Sequence, residues 1–160
     1  MSNIINVGIS DLNIAFAPDV LVTYALGSCV GICLFDKKSN ISGLAHIMLP
    51  WSTDATNPSE NKRRYADTGI TELANLMKSK GANFQYVVAK IAGGAQMFAT
   101  TSSVFNIGER NVEAVKKVLN AFKIPIIAEQ TGANFGRTVF FDSGTGLMQV
   151  KSATKDTIVI

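Results

Sequence analysis

The stretch 21-LVTYALGSCVGICLFD-36 decides how this chain is read. It is apolar enough for buried strand, yet Gly27-Ser28-Cys29 interrupts it with two small residues and a thiol. One reading is a bulge that carries a core cysteine, since a lone cysteine in an apolar run is as a rule a small packing residue. The other is a nucleophile presented at a bend. Gly27 permits a sharp turn, and a turn of that kind aims backbone N–H groups of Ser28 and Cys29 at one point, as an oxyanion site requires.

Downstream, VGICLFD and ISGLAHIML flank the polar tip Lys37-Lys38-Ser39-Asn40, a hairpin signal. With the turn centred between Lys37 and Lys38 and no bulge, Cys29 lies directly opposite His46. Their Cβ atoms are then about 4.5–5.5 Å apart. A cysteine nucleophile needs such a base, because the thiolate is the reactive form, and His46 is the single histidine of the chain. A lone histidine at a strand end is by itself more often structural; the joint placement of the two residues makes the site. Cys33, on the same strand face, reads as core packing.

The remaining pattern alternates strands and two helices. Ile4–Val7, Asn13–Ala17 and Leu21–Tyr24 read as strands, and Pro50–Arg64 as a long loop. A helix is expected over Asp67–Lys80, with Ile70, Leu73, Ala74 and Met77 at helical spacing and Gly81 as its C-terminal cap. FQYVVAKIA is a strand ending in Gly93-Gly94. A second helix begins near Asn106-x-x-Glu109, a capping-box pattern, with Val112, Val115, Leu119 and Phe122 as its stripe. The strand IPIIAE and the hairpin TVFFD-SGTG-LMQVK close the chain. Hairpins outnumber βαβ units, so the class is α+β: a mixed or mainly antiparallel sheet with two main helices packed on it. Without repeats or linkers, residues 1–160 read as one domain. Ala92–Phe98, AGGAQMF, lacks the Gly-Lys-Ser/Thr of a nucleotide loop and reads as a tight turn after a strand. Phe135, Phe140 and Phe141 are expected in the core.

Composition narrows the function classes. Apolar residues make up 47% and charged residues 17% of 160, with a net charge of +3. This excludes a disordered polyelectrolyte and carries no basic stripe for nucleic acid; Lys62-Arg63-Arg64 reads as a solvated loop. No export signal opens the sequence, and no apolar run reaches the roughly 18–20 residues of a membrane span, so a cytoplasmic monomer is expected. Cys29 and Cys33 are the only cysteines. On one strand they lie about 13 Å apart, too far for a disulfide, and one histidine is too few for a Cys/His zinc site. Both are expected to be free thiols.

Six blocks carry a resemblance: VTYALGSCVGICLFD, GLAHIMLP, RYADTGI, KIAGGAQMF, NIGERNVEAVKKVL and AEQTGANFGRTVFFD. In this order, over residues 5 to 151, the chain resembles CheD, the chemoreceptor glutamine deamidase family of bacterial chemotaxis. The resemblance implies a fold similar to the catalytic domain of the cytotoxic necrotizing factor toxins. It implies Cys29 as nucleophile, His46 as base and Thr23 as the residue that orients the histidine, with no metal or organic cofactor. Methyl-accepting chemotaxis receptors are the implied substrates, and receptor methyl esters a related one. Tyr24-Ala25 departs from the more compact residues expected there, which bears on substrate fit. Two other readings stand beside the enzyme: a regulatory binding module for receptors and a CheC-type phosphatase, and a thiol redox switch at Cys29 in which His46 is dispensable.

Overall fold

The computed structural model describes residues 2–57, 60–97 and 106–160. Pro58 of the expected loop and Phe98 of the AGGAQMF block lie outside them. The described strands are β1 (Ile4–Asn6), β2 (Asp11–Phe16), β3 (Val20–Leu26), β4 (Val30–Asp36), β5 (Ile41–Ile47), β6 (Val87–Gly93), β7 (Ile126–Thr131), β8 (Arg137–Asp142), β9 (Met148–Lys151) and β10 (Ile158–Val159). Two helices, α1 (Ala66–Ser79) and α2 (Ile107–Ala121), complete an α+β fold.

The strands form two five-stranded sheets, ordered β1-β3-β8-β9-β10 and β2-β5-β4-β6-β7. Each is antiparallel apart from one parallel pair, β1/β3 and β6/β7. Both helices cover one face of the second sheet. There Ile70, Leu73, Met77, Val115 and Leu119 pack on Ile32, Leu34, Ala45, Ile47 and Ile91. The other face of that sheet packs on the first, with Cys33, Phe35, Leu44 and Val88 against Leu21, Val139, Phe141 and Met148. Burial on both faces explains why every residue of β4 and β5 is buried and why neither strand alternates polar with apolar. The Gly-Ser-Cys interruption therefore lies between two sheets: β3 belongs to the first and β4 to the second.

The hairpin register differs from the expected one. Gly31, not Cys29, lies opposite His46, and Val30 opposite Ile47. The Asp36 carboxylate accepts from the Lys38 and Ser39 N–H groups at 2.9 and 3.1 Å, and the Asn40 N–H donates to the Asp36 carbonyl. With Asn40 at φ +58°, these bonds build a four-residue loop centred between Lys38 and Ser39. The pairing slips by two residues, which keeps each side chain on its face.

Three local expectations also change. Lys62–Arg64 is a 3-10 turn in which Arg63 binds Asp11 at 2.7 Å and Glu72 at 2.8 Å, and Arg64 pairs with Glu60. This basic cluster straps β2 to α1 rather than floating in solvent. Asn106 caps no backbone N–H of α2; its amide donates to the Glu109 carboxylate. Of the three phenylalanines only Phe141 is buried, while Phe135 and Phe140 carry the Arg137 and Lys151 cations over their rings at 4.3 and 4.7 Å.

Candidate active site

Residues 27–29 turn the corner between the sheets, and each carbonyl of the corner is held. The Gly27 carbonyl accepts from the Ala95 N–H at 2.9 Å and the Cys29 carbonyl from the Gly94 N–H at 2.8 Å. The Ser28 carbonyl accepts from the Asn111 amide at 3.0 Å. Among the described residues, neither the Ser28 nor the Cys29 N–H has a backbone acceptor. Fixing three carbonyls leaves these amides as the unpaired backbone donors of the corner among the described residues.

His46 sits behind this corner, fully buried. Thr23, from the other sheet, contacts its Nδ1 at 2.7 Å through Oγ1. The same hydroxyl donates to the Val7 carbonyl at 2.7 Å. A hydroxyl has one proton, so Nδ1–H is the donor to Thr23, and Nε2 keeps its lone pair. That Nε2 is buried and has no hydrogen-bond partner among the described residues. Gly31 makes the contact between sheets possible: a Cβ there would lie 3.1 Å from Leu26 Cδ1 and 3.7 Å from the Thr23 methyl. Of the residues named by the sequence, the structure brings Thr23 and His46 into contact, while Gly27, Ser28 and Cys29 form the corner just before Gly31, the sheet partner of His46.

The direct Cys29–His46 pairing expected from the sequence is not formed, since Gly31 takes the place opposite His46. Cys29 is half-buried and packs on the inter-sheet core, on the face that His46 shares, but no hydrogen bond joins thiol and imidazole. Burial pushes the Cys29 thiol up from its ordinary value, against a smaller pull from its own backbone N–H. Burial likewise holds the imidazole down to about 4. Both groups are therefore neutral at pH 7. Cys33 is buried and its thiol is pushed far up by desolvation, consistent with packing.

Asn111 and Gly108, which support the corner, were missed by sequence reasoning. Asn111 is fully buried on α2 and donates to the Ser28 and Met48 carbonyls at 3.0 and 2.9 Å. Gly108 lets α2 approach the loop after β6: a Cβ there would lie 2.3 Å from the Ala95 carbonyl oxygen. The available signal was a polar residue in the apolar stripe of the helix, between Gly108 and Val115. Asn111→Ala strands two partly buried carbonyls, each worth about 1–3 kcal/mol if water does not reach it. It is expected to lower stability by about 2–4 kcal/mol in denaturant titration and to accelerate Cys29 alkylation. Among the described residues no cluster of three or more His, Cys, Asp or Glu side chains assembles for a metal.

Comparison with known proteins adds a family. The family model described as CheD chemotactic sensory transduction matches residues 48–152. That segment begins just after His46, so Thr23, Cys29 and His46 fall outside it. Whole-chain similarity reaches further. The chain is 48% identical over 157 residues, 97% of each chain, to the probable chemoreceptor glutamine deamidase CheD of Lachnoclostridium phytofermentans. It is 49% identical, over 91% of this chain and 89% of the relative, to the protein of that name in Clostridium tetani. The corresponding protein of Oceanobacillus iheyensis is 42% identical over 99% of this chain and 97% of its own. Among solved structures, the hypothetical protein YfiH of Bacillus licheniformis covers 72% of this chain at TM-score 0.44 and 15% identity, over 47% of its own length.

Proposed function

The chain belongs to the CheD family, and we propose that it is a cytoplasmic, single-domain cysteine hydrolase that converts glutamine side chains of chemotaxis receptors to glutamate. The observation that carries this reading is the Thr23–His46 contact, which leaves His46 with a buried, unpaired Nε2 lone pair among the described residues. The relatives' names supply the substrate. We also keep the implied likeness to the cytotoxic necrotizing factor hydrolase fold as part of the proposal.

His46 Nε2 takes the Cys29 thiol proton as sulphur attacks the glutamine side-chain carbonyl carbon. The N–H groups of Ser28 and Cys29 hold the oxyanion. Collapse of the tetrahedral adduct breaks the C–N bond; the imidazolium gives its proton to the leaving nitrogen, and ammonia departs from a thioester. Water then loses a proton to His46 and attacks the thioester, the C–S bond breaks, and glutamate and the thiol are formed. Each step needs only the dyad. A glutamyl methyl ester would enter by the same acyl chemistry.

The test is peptide mass mapping of a receptor cytoplasmic fragment incubated with this protein, beside a sample whose Cys29 has been blocked with iodoacetamide. Site-specific glutamine-to-glutamate conversion by the unblocked protein alone is the expected result. No conversion by the folded protein would overturn the enzyme and leave the regulatory binding module, with a CheC-type phosphatase as its partner.

A further inference from the structure

Arg137 is only 2% exposed, yet among the described residues no carboxylate pairs with it. Its Nε donates to the Gln130 side chain, Nη1 to the Gly93 and Phe135 carbonyls at 3.3 and 3.5 Å, and Nη2 is buried without a hydrogen-bond partner among the described residues. A buried guanidinium lacking a counter-charge is costly, so its position calls for a reason. Val139 and Phe141 share its strand face and pack between the sheets. Leu26, the residue before the Gly27–Cys29 corner, lies opposite Arg137 in the sheet.

The acceptor on Gly93 belongs to the peptide group that joins Gly93 to Gly94. The other end of that group, the Gly94 N–H, donates to the Cys29 carbonyl at 2.8 Å. Guanidinium, peptide and cysteine carbonyl therefore form one hydrogen-bonded chain. Gly93 and Gly94 have φ of +112° and +65°; flanked by two glycines, this peptide turns over at low steric cost unless it is held. A charge-assisted bond to its oxygen fixes its plane and strengthens donation from its N–H. The Gly132 N–H, 3.0 Å from the same oxygen, adds a neutral second bond.

We propose that Arg137 is a positioning residue for Cys29: it clamps the Gly93–Gly94 peptide, which in turn holds the Cys29 carbonyl inward and the corner amides outward. The catalytic consequence rests on the reading of Cys29 as nucleophile; the clamp itself does not.

Hydrogen exchange at the Gly94 amide reads the clamp without any substrate, and deamidation kinetics read its consequence. Arg137→Gln is expected to speed Gly94 exchange and lower kcat by about 10- to 100-fold, the cost of a misplaced reacting group, with KM changed less than about twofold. Arg137→Lys, which restores one charged donor, is expected to recover most of both. Gln130→Leu frees Nε without deleting the cation; it is expected to speed Gly94 exchange to a smaller extent, and it keeps the test available if Arg137→Gln does not fold. Gly94 exchange at the wild-type rate in the folded variants overturns the clamp. Wild type that deamidates nothing overturns the function instead, since Gly94 exchange still reports on Arg137.

Discussion

His46→Ala is expected to reduce glutamine deamidation at pH 7 by about 10³- to 10⁴-fold, as far as Cys29→Ala does, because members of a nucleophile–base unit fail together. The two variants should then part with pH. In wild type the productive form is neutral thiol beside neutral imidazole. His46 is held down to about 4 and Cys29 is raised, so the acid limb of kcat/KM falls near pH 4 instead of the ordinary histidine value, and the profile is flat through neutrality. Without the imidazole only preformed thiolate reacts. The His46→Ala rate should therefore climb about tenfold per pH unit until it passes the raised Cys29 pKa, while Cys29→Ala stays inactive throughout. A His46→Ala rate that is flat between pH 7 and 9 would remove the imidazole from the proton transfer. Wild-type deamidation in that variant would instead make His46 dispensable for the reaction.

The shared face of Cys29 and His46 was legible in the sequence despite the wrong register because strand side chains alternate with a period of two. A slip of one residue would have sent His46 to the helix-covered face; the actual slip of two kept it with Cys29 between the sheets. The loop length was hidden in Asp36, whose carboxylate bonds two backbone N–H groups of the tip and so favours four residues over two. Helix α1 could be read because Ile70, Leu73, Ala74 and Met77 are all buried at the spacing that marks them. The division into two sheets could not, since β3 and β4 are apolar runs on either side of the same short break and differ only in their partners. Asn111 and Arg137 illustrate a signal that composition obscures: each is a polar residue at a position whose periodic neighbours are buried and apolar. Both hold main-chain carbonyls of the corner or of its support, and that role depends on contacts 44 and 83 residues apart in sequence.

The support for the corner is also where a single methyl group should do most damage. Gly93 ends β6 opposite Val30, at φ +112°, and a Cβ placed on it would lie 2.3 Å from the Cys29 carbonyl oxygen and 3.2 Å from Val30 Cα. These are backbone atoms of the neighbouring strand, so no side-chain rotation relieves the contact. Gly93→Ala must part β6 from β4 at this end and lose the Gly94-to-Cys29 hydrogen bond, besides the roughly 1–2 kcal/mol of a side chain in left-handed backbone. The expected loss is about 3–5 kcal/mol, a fall in Tm of roughly 6–20 °C for a chain of this size, together with loss of deamidation beyond about 100-fold. Gly132 provides the control. Its φ is +83°, but nothing lies within 4 Å of its Cβ position, so Gly132→Ala carries the conformational cost alone, about 1–2 kcal/mol. Thermal unfolding of the two variants side by side separates strain from collision. Equal Tm values would mean that the Gly93 contact yields freely and that the corner tolerates movement; a large excess for Gly93→Ala would mean that the cysteine carbonyl is held against a rigid support, on which the geometry of the nucleophile depends.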